Sequence, residues 1–228
     1  MAIIMDGNRR WARERDLPVA KGHEVGKESI EDVLKSALDM GIEYVSLWAL
    51  SLDNMVKRSE DEVKHLMDLF RSGFLEILDE EAVHENEVEV NVLGRWREML
   101  PDEVQEAIEK ALETTEDYSK YHLNFLVSYS GRDEMKSAVE GIVEEEREEG
   151  NVEVTEDKIK EKLFTSDLPP VDLLIRTGGE PHNSTGFMMW DTSDSQYYFT
   201  ETYWPEFHYE EFKEAIEDYR KRERRYGE

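Results

Sequence analysis

The sequence predicts an α/β fold, with a central, mostly parallel six-stranded sheet wrapped by helices. Three observations predict it. Short, continuously apolar runs alternate with helical patterns, as in a parallel sheet covered on both faces. Polar residues gather just after those runs, where ligands bind in an open parallel sheet. The 228 residues suit a single α/β domain over 1–228, and no internal repeat, low-complexity linker or domain boundary interrupts them.

The first strand is Ile3-Ile4-Met5. Asp6 stands where it must end, Gly7 and Asn8 tolerate a sharp turn, and Arg9 and Arg10 fall in the first turn of a helix. Free N–H groups and two forked, permanently charged side chains at such a junction suit an anion. Asp6 is out of place beside an anion unless a hard cation such as Mg²⁺ sits between them. Taken alone, the stretch fits a magnesium–diphosphate site and a solvated turn equally well.

A helix follows from Gly22 to about Met40, then a strand over 44–50 and a long helix over 59–85. Along 63–82, Val63, Leu66, Phe70, Phe74 and Leu78 cover more than a narrow stripe. That face suits either burial against the sheet or one wall of an apolar tunnel. Gly73 within it marks a bend or a close contact. The next strands are 88–93, 123–129 and 172–176, with a sixth expected at 187–190. Helices are expected over 101–117, 132–149, 155–164 and 207–225. Pro101 before two acids is a helix start, Thr155-Glu156-Asp157 is a cap, and 144–150 is a solvated charge run.

Arginine recurs at the strand exits. Arg9 and Arg10 follow the first strand, and Ser51, Asp53, Asn54 and Arg58 follow the second. Arg95 and Arg97 follow the third, Arg132 the fourth, and Arg176-Thr177-Gly178-Gly179-Glu180 the fifth. With 28 basic residues against 55 acidic ones, this concentration predicts a deep anion site on an acidic protein.

The net charge of −27 argues against nucleic acid or anionic lipid as a general partner. It resembles surfaces built for high salt, which predicts a halophilic, cytoplasmic protein. With no cysteine, disulfide and thiolate chemistry are excluded. No apolar run approaches the roughly 20 residues that span a bilayer, and the first is too short for a signal peptide.

The run MDGNRRWA, residues 5–12, resembles the first signature of the cis-prenyltransferases, the undecaprenyl diphosphate synthase family. Further matches recur in the family's order along nearly the whole chain. Gly22-His23-Glu24-Val25-Gly26 resembles its GHxxG helix start, and Ser51-Leu52-Asp53-Asn54 its SxEN loop, with Arg58 as the following arginine. Ser130-Gly131-Arg132-Asp133-Glu134 is similar to its YGGRDE run. DLLIRTGGE at 172–180 is the strongest match, followed by Trp190, Tyr198-Phe199-Thr200 and Trp204-Pro205-Glu206-Phe207.

The resemblance implies a synthase that adds isopentenyl diphosphate units in cis to an allylic diphosphate starter, farnesyl or geranylgeranyl diphosphate. The product is a long-chain polyprenyl diphosphate of the undecaprenyl type, for a glycosyl-carrier lipid. It implies a homodimer, an apolar tunnel walled by 63–82, and at most peripheral membrane contact for product release. Residue by residue, it implies Mg²⁺ on Asp6, with Gln196 at a second metal position. Gly7, Asn8, Arg9, Arg10, Trp11 and His23 correspond to the allylic diphosphate site. Ser51 and Asn54 correspond to residues near the reacting carbons, with Asn54 in proton removal, and Asp53 and Arg58 to further substrate contacts. Arg176, His182 and Ser184 correspond to the isopentenyl diphosphate site. The chemistry is consistent, because ionising a C–O bond to diphosphate needs charge stabilisation of the leaving group.

Several positions depart from the family pattern. Val19 and His182 replace arginines, Gln196 a metal-binding glutamate with Asp194 two residues earlier, Asp53 a glutamate and Met55 an aromatic; Gly186 is inserted. These leave room for an alternative, a catalytically poor partner subunit of a heteromeric cis-prenyltransferase. Asp6, Arg9, Arg10, His23, Asn54 and Arg176 are all retained and speak for the enzyme. Arg225-Tyr226-Gly227 resembles a terminal RxG that crosses a dimer, and reads equally as a basic helix end. The aromatics Tyr197, Tyr198, Phe199, Tyr203, Trp204 and Phe207 predict a dimer seam in the C-terminal third.

Overall fold

The structure, a computed structural model, describes residues 1–222, the side chain of Val56 excepted. The Arg225-Tyr226-Gly227 motif lies outside the described residues. Six strands form one sheet in the order β3-β4-β2-β1-β5-β6, and every neighbouring pair is parallel. They are β1 (Ala2–Ile4), β2 (Tyr44–Trp48), β3 (Val88–Leu93), β4 (Tyr121–Leu126), β5 (Leu173–Arg176) and β6 (Gln196–Phe199).

The apolar strands are continuous because both faces are covered. Ile3 of β1 joins one buried cluster, while its neighbours Ala2 and Ile4 join another. In β5, Leu173 and Ile175 likewise face the first cluster and Leu174 the second. The first cluster lies under α2 (Val19–Asp39), α4 (Glu60–Ile77), α7 (Asp102–Thr115) and α10 (Tyr209–Lys221). The second is smaller and includes Tyr129, Leu168, Phe187 and Met188.

The expected sixth strand at 187–190 is a turn segment, and the strand is β6. Phe187 and Met188 are apolar because they fill the second cluster, not because they pair; Phe187 stacks on Trp48 with centroids 5.1 Å apart. The long helix expected over 59–85 is two helices, α4 and α5 (Glu81–Glu85). Ser59 caps α4, accepting from Glu62 N–H at 3.3 Å, with three acids in the first turn. Its exit is closed by His84, whose Nε2 lies 2.8 Å from the Leu78 carbonyl.

Two short helices escaped sequence patterning, α3 (Leu52–Lys57) and α6 (Trp96–Met99). The expected caps hold: Pro101 precedes α7, and Thr155 accepts from Lys158 N–H at 3.1 Å to start α9 (Glu156–Glu161). The remaining helices are α1 (Asn8–Glu14) and α8 (Gly131–Glu149).

The topology sets the site. β1 is flanked by β2, which leads toward β3 and β4, and by β5, which leads toward β6. Strand order therefore reverses at β1, and a crevice opens beyond the carboxyl ends of β1, β2 and β5.

Candidate active site

In-register pairing of Ile4 with Arg176 sets the two most specific motifs side by side. At the end of β1, the Thr177 hydroxyl accepts from Asp6 N–H at 3.0 Å and lies 2.7 Å from the Asp6 carbonyl. Gly7 follows with φ 112, a left-handed conformation, and a Cβ there would lie 2.6 Å from the Tyr203 ring. The chain thus turns sharply and α1 begins, presenting Arg9 and Arg10.

The side chains of this turn form a charged cluster. Asp6 is flanked by Arg176, 2.9 Å away, and Arg10, 3.2 Å away. Arg176 is only 6% exposed; its Nη1 donates to the His182 carbonyl at 2.7 Å. A second cluster stands beside it. Glu62 accepts from Arg58 at 2.9 Å and lies 3.6 Å from Arg9. Arg58 also lies 3.1 Å from His23 Nε2. Burial, then the Arg58 guanidinium, push the His23 imidazole down to about 4. A neutral His23 accepts from Arg58 through Nε2, which makes its 3.3 Å approach to Glu62 a contact rather than a donated hydrogen bond.

The helix-start glycines have a steric reason. A Cβ at Gly22 would lie 2.2 Å from the Asn8 carbonyl oxygen, and one at Gly26 would lie 2.2 Å from Asn8 Oδ1. These glycines let α2 cross directly over α1. Trp204 completes the corner, donating from Nε1 to the Gly26 carbonyl at 2.7 Å.

A cavity of 750 Å³ opens from this cluster. Asp6, Gly7, Asn8, Arg9, Arg10 and His23 line one end, together with Ser51, Asp53, Asn54, Arg58, Arg176 and Ser184. Its walls are then apolar: Ile30 and Leu34 from α2, Leu66, Phe70 and Phe74 from α4. It runs the height of the sheet to Val88 and Tyr121, the first residues of β3 and β4. Gly73 borders it, in a helix that continues unbroken; the nearest atom to a Cβ there would be 3.8 Å away.

Other sequence expectations are placed differently. Arg95 pairs with Asp133 at 2.8 Å and Arg97 with Glu109; neither lines the cavity, nor does Arg132. They follow β3 and β4, the edge strand and its neighbour, away from the switch point. Trp11 is outside the lining, with Arg15 stacked over its ring at 4.8 Å. Asp53 pairs with Lys57 at 2.6 Å, and Ser51 accepts the Asn54 N–H at 3.1 Å to cap α3. His182 is 58% exposed and faces Glu180 at 3.9 Å, while its backbone carbonyl is what reaches the site.

Gln196 is not brought to Asp6 within the chain. It pairs with Leu173 at the amino end of β6, whereas Asp6 lies beyond the carboxyl end of β1, beside Arg176. Of the expected aromatic seam, Trp204 and Phe207 are buried in the chain's own core, and Tyr203 lies 5.5 Å under Arg10. Glu62 was not marked by any sequence signal except its place in the first turn of a capped helix.

Among the described residues, no three His, Cys, Asp or Glu side chains form a metal cage. At the cavity's charged end, Asp6 offers a hard carboxylate oxygen between Arg10 and Arg176. That donor set fits Mg²⁺, which takes one or two carboxylates and completes its shell with substrate phosphates and water. Arg176 Nε and Arg58 Nε are buried without a partner among the described residues, as donors awaiting an anion would be.

The sequence model of the undecaprenyl diphosphate synthase family matches residues 4–227. The chain is 40% identical over 230 residues to a tritrans,polycis-undecaprenyl-diphosphate synthase (geranylgeranyl-diphosphate specific) of Pyrococcus abyssi, covering all of this chain and 86% of that protein. It is 41% identical over 232 residues to the enzyme of the same name from Methanocaldococcus jannaschii, covering all of this chain and 81% of the other. Its fold is similar to that of lavandulyl diphosphate synthase from Lavandula x intermedia, solved with dimethylallyl diphosphate. The TM-score is 0.92 at 29% identity, over 100% of this chain and 97% of that one. With the arginines at the exits of β1, β2 and β5 opening into one cavity with apolar walls, the chain belongs to the undecaprenyl diphosphate synthase family of prenyltransferases.

Proposed function

We propose that the chain extends geranylgeranyl diphosphate, with the allylic diphosphate at the Asp6–Arg10 turn and isopentenyl diphosphate beside Arg176. The reaction is the family's condensation of isopentenyl diphosphate onto an allylic starter to give a polyprenyl diphosphate of the undecaprenyl type. One observation carries the assignment of the site: a single cavity joins the arginine cluster to apolar walls that a growing prenyl chain would occupy. The archaeal relatives' stated specificity supports geranylgeranyl over farnesyl diphosphate.

In this assignment Arg9, Arg10 and Arg58, with Gly7, Asn8 and His23, hold the allylic diphosphate as its C–O bond breaks. Arg176 and Ser184 hold the second diphosphate, and the His182 carbonyl is fixed by Arg176. Ser51 and Asn54 border the space between them, where the new C–C bond forms and a proton leaves isopentenyl diphosphate. Asp6 would hold Mg²⁺, which supplies charge neutralisation on the departing diphosphate.

We further assign one domain over 1–228, a homodimer, and a cytoplasmic, salt-adapted protein touching membranes only for product release. The net charge of −27 supports the salt adaptation. The stacked Tyr197 and Phe199 on edge strand β6 support a dimer, since Phe199 is 37% exposed. Among the described residues, no helix is long and apolar enough to cross a membrane.

Comparing kcat/KM for geranylgeranyl and farnesyl diphosphate, with Mg²⁺ and isopentenyl diphosphate, tests the starter. We expect geranylgeranyl diphosphate to be favoured by at least about tenfold, within what pocket contacts supply. Equal use, or a preference for farnesyl diphosphate, would overturn that assignment.

A further inference from the structure

Under the loop that carries Ser184 lies a buried polar chain that the condensation itself does not use. The Tyr129 hydroxyl donates to Glu134 Oε2 at 2.5 Å and accepts from the Met188 N–H at 3.1 Å. Glu134 Oε1 accepts from the Thr165 N–H at 3.1 Å. The Thr165 hydroxyl donates to Asp191 Oδ2 at 2.7 Å, and Lys160 pairs with Asp191 Oδ1 at 2.5 Å. Tyr129, Glu134 and Thr165 are fully buried, so each of these bonds matters more than a surface contact would.

The segment they hold is strained. Thr185, Gly186 and Met188 all have positive φ, at 47, 67 and 46. For Thr185 and Met188 that conformation costs on the order of 1 kcal/mol or more. The loop packs directly on α8: a Cβ at Gly131, in that helix's first turn, would lie 1.7 Å from the Gly186 carbonyl oxygen. On its other side the same loop is held by Arg176, through the His182 carbonyl. Between these two anchors, Ser184 and Thr185 face the cavity.

We propose that Tyr129 and Glu134 are positioning residues for the isopentenyl diphosphate subsite, fixing the left-handed turn that presents Ser184 and Thr185 beside Arg176. The proposal rests on the assignment of that subsite given above. The direction of the hydrogen bonds suits the role. Burial, then Glu134, pushes the Tyr129 hydroxyl above its ordinary range, so it stays protonated and donates to Glu134. The Glu134 carboxyl is itself raised by burial, while the Tyr129 and Thr165 hydrogen bonds hold it as an acceptor. The Tyr129 lone pair remains for Met188. Removing the hydroxyl orphans one buried N–H in the loop and one carboxylate oxygen beneath it, without emptying the ring's place in the core.

Tyr129→Phe, with Glu134→Gln as a second variant, gives two separable readouts. In steady-state kinetics of the full chain with Mg²⁺, KM for isopentenyl diphosphate should rise about tenfold, as loss of a buried hydrogen bond predicts. KM for the allylic diphosphate should stay within about twofold, because Arg9, Arg10 and His23 are anchored elsewhere. Amide hydrogen exchange over residues 183–190 should be faster in both variants, with α2 and α4 unchanged. Equal rises in both Michaelis constants would mean a general structural role and would overturn the proposal. So would unchanged exchange at 183–190 in folded variants. A wild-type chain that fails to turn over isopentenyl diphosphate would instead refute the functional assignment, while the exchange measurement still reads the clamp.

Discussion

Arg176 donates from Nη2 to Asp6 Oδ2 at 2.9 Å, joining the exits of β5 and β1 across 170 residues of sequence. The bond places an acid between two arginines, since Arg10 approaches the same carboxylate from the other side. Such an acid offsets part of the arginines' charge, and in the proposed function it is the residue that would hold Mg²⁺ beside the diphosphate.

Asp6→Ala should therefore keep the fold and lose condensation. We expect kcat to fall by about a hundredfold or more, because the charge that Asp6 helps to manage develops as the C–O bond breaks. The Michaelis constants should change far less. Thermal melting and steady-state kinetics on the same preparation check both parts. Near wild-type turnover would remove Asp6 from the mechanism.

Gly22→Ala should be destabilising, since its Cβ would meet the Asn8 carbonyl oxygen at 2.2 Å and neither backbone can yield freely. We expect a loss of about 1–3 kcal/mol from overpacking. KM for the allylic diphosphate should rise with it, because Asn8 follows directly on the turn that carries Asp6 and Gly7. Urea unfolding and kinetics read the two effects.

Gly73 should behave in the opposite way. A Cβ there meets nothing nearer than 3.8 Å, and the residue is inside a long helix. Gly73→Ala should stabilise the protein by about 0.5–1 kcal/mol through helix propensity. Gly73→Phe should project into the cavity that Gly73 borders and shorten the product. Chromatography of the extracted prenyl chains decides it, and unchanged length would take Gly73 out of the tunnel wall.

His23 should give the empty enzyme an acid-side stability slope. Its folded value is depressed to about 4 by burial and by Arg58, while the unfolded chain titrates near 6.5. Above 6.5 both states are neutral and nothing is lost. As pH falls from 6.5 toward 4, the unfolded state takes the proton first, so stability drops, by about 3 kcal/mol at most. His23→Gln should flatten that part of the profile. Denaturation midpoints from pH 7 to 4.5 in both proteins isolate the histidine from the many carboxylates they share.

Much of the fold was legible because central parallel strands buried on both faces, such as β1, β2 and β5, leave nearly continuous apolar runs, and edge strand β3 still shows a valine at every second position; five of the six strands were placed. The sixth was not. Gln196–Phe199 is a half-exposed edge strand with mixed polarity, whereas Phe187 and Met188 imitate a strand by filling a core. The site was legible where residues follow strands directly: Asp6, Asn8, Arg9, Arg10 and Arg176 all line one cavity. It was not legible where strand order decides, because sequence does not say that β3 lies at an edge and β1 at the centre. Hence Arg95 and Arg132 were expected in a site they do not enter. Glu62 and the exposure of His182 depend on tertiary contacts that no local pattern encodes.

The most direct test is incorporation of labelled isopentenyl diphosphate into an allylic diphosphate by the purified chain alone, with Mg²⁺ and molar salt. We expect label to appear in solvent-extractable, long, cis-linked polyprenyl chains after phosphatase treatment, and to require both the metal and the starter. A folded chain that incorporates no label under these conditions, yet does so once a second, different subunit is added, would contradict the account.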